Sequence, residues 1–144
     1  MVEGPRISYV IARVERALRT AINDRVKPYG LTTLQYTTLS VLGARGGLSN
    51  AQLARRTYVT PQAMSEVVAA LEAKGLIERS QHPSHRRIYP ATLTDRGRTV
   101  LADCDRTVDE LERQMLRDLS PQERAGLAAA LLSAAHSLNT GFPE

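Results

Sequence analysis

The chain of 144 residues holds one cysteine and three histidines, and it has no long apolar run. Each scarcity excludes something. A lone thiol, Cys104, can form neither an intramolecular disulfide nor a multi-cysteine zinc cage. A bilayer-crossing helix needs about 18 or more consecutive apolar residues, and no stretch approaches that, so no membrane partner is expected. The opening "MVEGPRISYV" lacks the charged-then-apolar layout of a signal peptide, which sets a cytoplasmic location as the expectation. No serine or cysteine stands beside an identifiable base, no glycine loop is built for phosphate, and no carboxylate pair has a reason to converge. The chain therefore does not read as an enzyme, and no cofactor is expected. Repeats, low-complexity segments and linkers are also missing. One domain over residues 1–144, long enough to bury its own core, is the expectation.

What is present is unevenly distributed charge. The net charge is +4, but residues 1–44 carry six basic against three acidic groups, residues 45–98 nine against four, and residues 99–144 four against eight. The basic excess peaks in the middle of the chain. A localised positive field suits a polyanion-binding surface, although a solvated charged face has the same composition.

Apolar periodicity organises the rest. Ile7, Val10, Ile11, Val14, Ala17, Leu18, Ala21, Ile22 and Val26 recur at helical spacing, and "KPYG" ends the pattern. A second helix is capped by Thr32 or Thr33, carries Leu34, Leu39, Val41 and Leu42, and stops at "GARGG". "SNAQ", from Ser49 to Gln52, is a capping box that opens a short third helix running to about Thr57. After "YV", Thr60 caps a fourth, with Pro61 in its first turn, where a missing amide hydrogen costs nothing. Met64, Val67, Val68 and Leu71 face inward on it, and "KG" closes it. Helices three and four, so closely linked, form a helix-turn-helix. "LIERS" and "IYPATL" read as a small hairpin, with Pro90 requiring an edge or solvent-facing amide position. "TDRG" starts a long fifth helix through Leu101, Cys104, Val108, Leu111 and Met115. "SPQE" caps a sixth, which places Leu127, Leu131, Leu132, Ala135 and Leu138 inside.

The fold class is thus mainly α with a small β-hairpin, a winged helix-turn-helix. Its fourth helix presents Thr60, Gln62, Ala63, Ser65, Glu66 and Ala69 on the face opposite its apolar stripe, small or hydrogen-bonding groups suited to base edges in a major groove. An amphipathic helix with a merely solvated outer face would show the same pattern. The loop "SQHPSHRRIYP" bears on that choice, since Arg86 and Arg87 stand where a long guanidinium can enter a minor groove or meet phosphates. Ser49, Gln52, Arg55, Arg56, Thr57, Arg79 and His85 complete a candidate backbone-contacting set.

"LTTLQYTTLSVLG", "LSNAQLARRTYVTPQAMSEVVAALEAKGLIERS" and "HRRIYPATLTDRG", together with the two carboxy-terminal helices, resemble the MarR (multiple antibiotic resistance regulator) family from about residue 7 to 138. The resemblance implies a prokaryotic homodimeric regulator, most often a repressor, that binds a palindromic double-stranded DNA operator. It further implies a DNA-binding core at 31–94, dimerisation helices at 5–28 and 95–138, and a pocket between the two units for a small, often phenolic, effector. The family pattern places acidic residues where this chain has His82 and His85. An aspartate at position 85 would pair with Arg87 and orient it, and histidine removes that pair.

The remaining residues admit competing readings. His82 and His85, three apart, could contribute to a metal site or to a pH-dependent loop, but no cysteine or acid nearby in sequence supplies further ligands, so no metal site is assigned. Cys104 lies in an apolar stripe, as a buried structural thiol would. Tyr9, Tyr29 and Tyr36 are candidates for an effector pocket or, equally, for packing. The rival functions are a dimeric winged-helix module that binds a protein, and a metal-responsive regulator using the loop histidines.

Overall fold

A computed structural model describes residues 4–80 and 89–138. The loop calls at His82, His85, Arg86 and Arg87 lie outside the described residues. The elements, in chain order, are α1 (Ile7–Val26), a 3-10 turn (Lys27–Tyr29), α2 (Thr33–Ala44), α3 (Asn50–Thr57), α4 (Pro61–Ala73), β1 (Ile77–Arg79), β2 (Ala91–Leu93), α5 (Asp95–Met115) and α6 (Pro121–Ser137).

Five of the six helices begin at a hydroxyl cap. The side-chain oxygens of Thr32, Ser49, Thr60, Thr94 and Ser120 accept from the backbone amides of Gln35, Gln52, Ala63, Gly97 and Glu123. At α2, α3 and α6 the third helical residue reciprocates, closing full capping boxes. Each box satisfies two amides that the helix geometry otherwise leaves unpaired. Thr32, rather than Thr33, is the cap of α2.

The hydrophobic core lies inside the segment from α2 to β2 and the first half of α5. Leu39, Leu42, Leu48, Leu53, Met64, Val68, Leu71, Leu76, Ile77 and Ala91 are buried, joined by Leu101 and Cys104 of α5 and by Val26 at the end of α1. Val67 only packs half-buried against this cluster. The strands are antiparallel, with Ile77 opposite Leu93 and Arg79 opposite Ala91. β2 begins one residue after Pro90, so the proline stands outside the ladder while its carbonyl accepts from the Ser80 amide at 3.2 Å. On its other side β2 meets the chain before α3: the Ala91 amide donates to the Leu48 carbonyl at 2.8 Å, and Gly47 donates back to the Ala91 carbonyl at 2.9 Å. The hairpin is thereby tied to the helix-turn-helix.

The junction of hairpin and α5 is tight. The Thr94 amide donates to the Leu76 carbonyl at 3.1 Å, and the Thr94 hydroxyl to the Gly75 carbonyl at 2.6 Å. A side-chain carbon at Gly97 would fall 2.0 Å from the Leu76 carbonyl oxygen. Only glycine lets the first turn of α5 pass so close to that backbone. This contact accounts physically for the threonine and glycine of "LTDRG".

Outside the core the picture reverses. Val26 is the one fully buried residue of α1, and α6 has none. Leu127, Leu131, Leu132 and Leu138 are 40%, 45%, 71% and 75% exposed. The expectation that this α6 stripe lies inside is therefore corrected for the single chain. Helical spacing shows that a face needs cover, but it does not say which chain provides it. No helix among the described residues is long and apolar enough to cross a membrane.

Candidate nucleic-acid interface

α3 and α4 meet through a turn in which Tyr58 adopts a left-handed conformation (φ 58°) and closes α3, its amide donating to the Ala54 carbonyl. A non-glycine residue there is uncommon and marks a sharply specified turn. α4 then buries Met64, Val68 and Leu71, which directs the other side outward. Thr60, Gln62, Ser65, Glu66 and Ala69 are exposed, and Ala63 is partly so. The structure thus brings the predicted base-reading residues onto one accessible face. Thr60 accepts from the Ala63 amide at 3.1 Å with one oxygen lone pair and keeps its proton as a donor.

The predicted backbone-contacting set is less uniform. Arg55 is exposed on α3. Ser49 and Gln52 are half-buried and already engaged with each other, the Ser49 amide donating to Gln52 Oε1 at 2.9 Å. The Gln52 side-chain NH2 remains to donate elsewhere. Thr57 turns its hydroxyl back to the Leu53 carbonyl at 2.7 Å. Arg79 donates from Nε to Glu72 at 3.0 Å, a pair that holds β1 against α4. Its two terminal nitrogens lie beyond that bond. Arg56 is half-buried. Arg86, Arg87 and His85 fall outside the described residues.

The three tyrosines meet different partners. Tyr9 is 58% exposed and its ring lies under the Arg13 guanidinium at 5.9 Å. Tyr29 is exposed at the end of the 3-10 turn. Tyr36 is half-buried and donates to Asp105 Oδ1 at 2.6 Å, joining α2 to α5. Burial raises the Tyr36 phenol well above its ordinary range, and the Asp105 bond adds to the shift. None of the three lines the cleft of about 660 Å³ that runs between the second half of α1 and the far end of α5, beside Val14, Leu18, Arg25, Leu111 and Met115. Sequence reasoning missed Asp105 as the partner of Tyr36, because nothing in a sequence 69 positions apart signals the pairing.

Cys104 is fully buried, and its thiol is pushed up to about 11, chiefly by burial and then by Asp105 and Asp103. Such a thiol carries almost no thiolate near neutral pH and is unsuited to sensing oxidants. Among the described residues no cluster of three or more histidine, cysteine or acidic side chains could hold a metal ion.

A capped helix with an exposed polar face, a second helix packed across it and a hairpin tied to both define a winged helix-turn-helix protein. Within that class a MarR family model matches residues 29–88. The HTH-type transcriptional repressor Rv2887 of Mycobacterium tuberculosis is 38% identical over 119 residues, covering 82% of this chain and 86% of the relative. The chain belongs to the MarR family of transcriptional regulators. Its fold is similar to that of the transcriptional repressor CouR bound to a 23-mer DNA duplex (TM-score 0.82, 27% identity, 90% of this chain and 92% of that one). It is also similar to Rv2887 in complex with p-aminosalicylic acid (TM-score 0.75, 32% identity, 91% and 99% covered).

Proposed function

We propose that this protein is a homodimeric repressor of the prokaryotic cytoplasm that places α4 of each subunit in successive major grooves of a palindromic operator and releases it when a small phenolic acid binds. The observation that carries this reading is the exposed polar face of α4, held at a fixed angle by α3 and by the hairpin. The neighbouring repressor solved on a DNA duplex supports it, as does the relative solved with salicylic acid at 33% identity. Residues 31–94 form the reading unit, and the segments 5–28 and 95–138 supply the dimer. Their uncovered apolar residues, Ile7, Val10 and Val14 on α1 and the four leucines ending at Leu138, are the surface that a second subunit would cover. Tyr36, where α2 of one unit meets α5 of the other, is the tyrosine best placed to couple an effector to DNA binding. The protein has no catalytic role in this reading.

Two reader helices related by a dimer axis should stand about 34 Å apart, one turn of DNA. Selection of bound fragments from random DNA is expected to yield an inverted repeat with that half-site spacing. With six to ten phosphate contacts, affinity should fall by about a thousandfold or more between roughly 50 and 200 mM salt. Substituting Gln62→Ala should relax preference at particular bases. Enrichment of no sequence at all would overturn the proposal in favour of a protein-binding winged helix.

A further inference from the structure

Asn50 is the first residue of α3, and its amide is directed at α4. Its Nδ2 donates to the Ser65 hydroxyl at 3.4 Å, and its Oδ1 is buried with no hydrogen-bond partner among the described residues. A buried amide oxygen without a donor is costly, and such a group in a folded protein calls for an explanation. Capping does not provide one, because Ser49 and Gln52 already complete the start of α3. What the Asn50 amide does is hold the hydroxyl of one exposed residue on the reading face of α4.

That contact has a chemical consequence. A serine hydroxyl has one proton and two lone pairs and rotates to suit its neighbours. With Nδ2 of Asn50 donating to its oxygen, the Ser65 proton has no competing acceptor among the described residues and turns outward. Ser65 then presents a donor to the groove. Guanine O6 and N7, thymine O4 and adenine N7 accept such a bond, whereas cytosine offers only its N4 amino donor.

We propose that Asn50 is a specificity-determining positioning residue, which sets the hydrogen-bond polarity of Ser65 and so disfavours cytosine at the base facing it. The inference rests on the reading of α4 as the DNA-contacting helix. It assigns part of the base preference to a side chain that does not itself belong to the reading face.

The test uses the full chain, a random-sequence DNA pool, and then single-base variants of the selected operator at fixed salt. The base facing Ser65 is the one at which Ser65→Ala relaxes preference. Asn50→Ala frees the hydroxyl to rotate and should lower the affinity ratio at that base by about fivefold, the worth of one hydrogen bond. Asn50→Asp keeps the shape but offers only acceptors. It should draw the Ser65 proton inward and move the preference toward cytosine at the expense of guanine and thymine, beneath a uniform loss from the added negative charge. In a Ser65→Ala background neither change should alter the ratio. Ratios do not depend on the fraction of protein folded, and the near-isosteric aspartate carries the test if the alanine variant fails to fold. Unchanged base ranking in both variants, a shift that persists without Ser65, or a Ser65→Ala variant that relaxes no base would overturn the inference. A wild-type chain that enriches no DNA would instead overturn the reading beneath it.

Discussion

The segment from α2 to β2 and the pair α1 and α6 are built from similar apolar side chains and end in opposite states. In the first, Leu39, Leu53, Met64 and Leu71 have essentially no exposed surface. In the second, Ile7, Leu132 and Leu138 are more than two-thirds exposed. Apolar residues recur at helical spacing in both regions, so such spacing alone does not tell a self-contained core from an uncovered face. The difference lies in what each element packs against. α2, α3, α4 and the hairpin pack on one another, whereas α1 packs along α2 and α5, and α6 makes no extended contact with another element among the described residues.

The comparison can be broken in three ways. Leu39→Ala removes a fully buried side chain and should cost about 2–5 kcal/mol, read in urea unfolding. That loss should be the same at every protein concentration, because the cavity is internal to one chain. Leu132→Arg should leave a dilute subunit nearly unaffected yet weaken the dimer by about a hundredfold, since two apolar contacts per dimer are lost. Sedimentation or light scattering over a dilution series reads this. An unfolding midpoint that falls with dilution in the wild type but not in the variant would identify the same surface. A Leu132→Arg protein as dimeric as the wild type would break the comparison. The smallest effect belongs to the start of α6, where Ser120→Ala should cost about 1 kcal/mol by loss of the cap.

Glu123 extends that last prediction to acid. The Ser120 backbone amide, donating at 3.0 Å, and then the Ser120 side chain hold its carboxyl below the ordinary value of 4.5. A carboxyl depressed in the folded state contributes stability above its unfolded value and loses it as pH falls through the folded one. The stability difference between wild type and Glu123→Gln should therefore be present at neutral pH and shrink as the solution is acidified below about 4.5. Parallel thermal unfolding of the two proteins across that range measures it.

Much of the local structure was legible because it is written in short-range chemistry. Ser49 with Gln52, Thr60 before Pro61, and Ser120 with Glu123 act within three or four residues, and each forms as its spacing predicts. The helix-turn-helix follows from those caps and from the apolar stripe of α4. Three kinds of feature were not legible. Pairings across the fold, such as Tyr36 with Asp105 and Asn50 with Ser65, leave no periodic trace. Leu48 binding to Ala91 depends on how the hairpin lies against α3, which no local pattern encodes. The state of the α6 leucines depends on a molecule that the sequence of one chain does not contain. The candidate interface was legible as a set of outward-facing types. Which of those side chains are already committed, as Thr57 and Arg79 are, required coordinates.

The glycine at position 97 has a mechanical meaning as well as a steric one. α5 has 21 residues, which makes it a rod about 30 Å long, and its near end is pressed against the backbone that enters the hairpin. Rod and hairpin therefore turn together about that point of contact. A tilt of about 5° imposed at one end would sweep the other through about 2.7 Å, nearly the length of a hydrogen bond. Small changes in how the far end of the rod is held would be felt at the base of the hairpin.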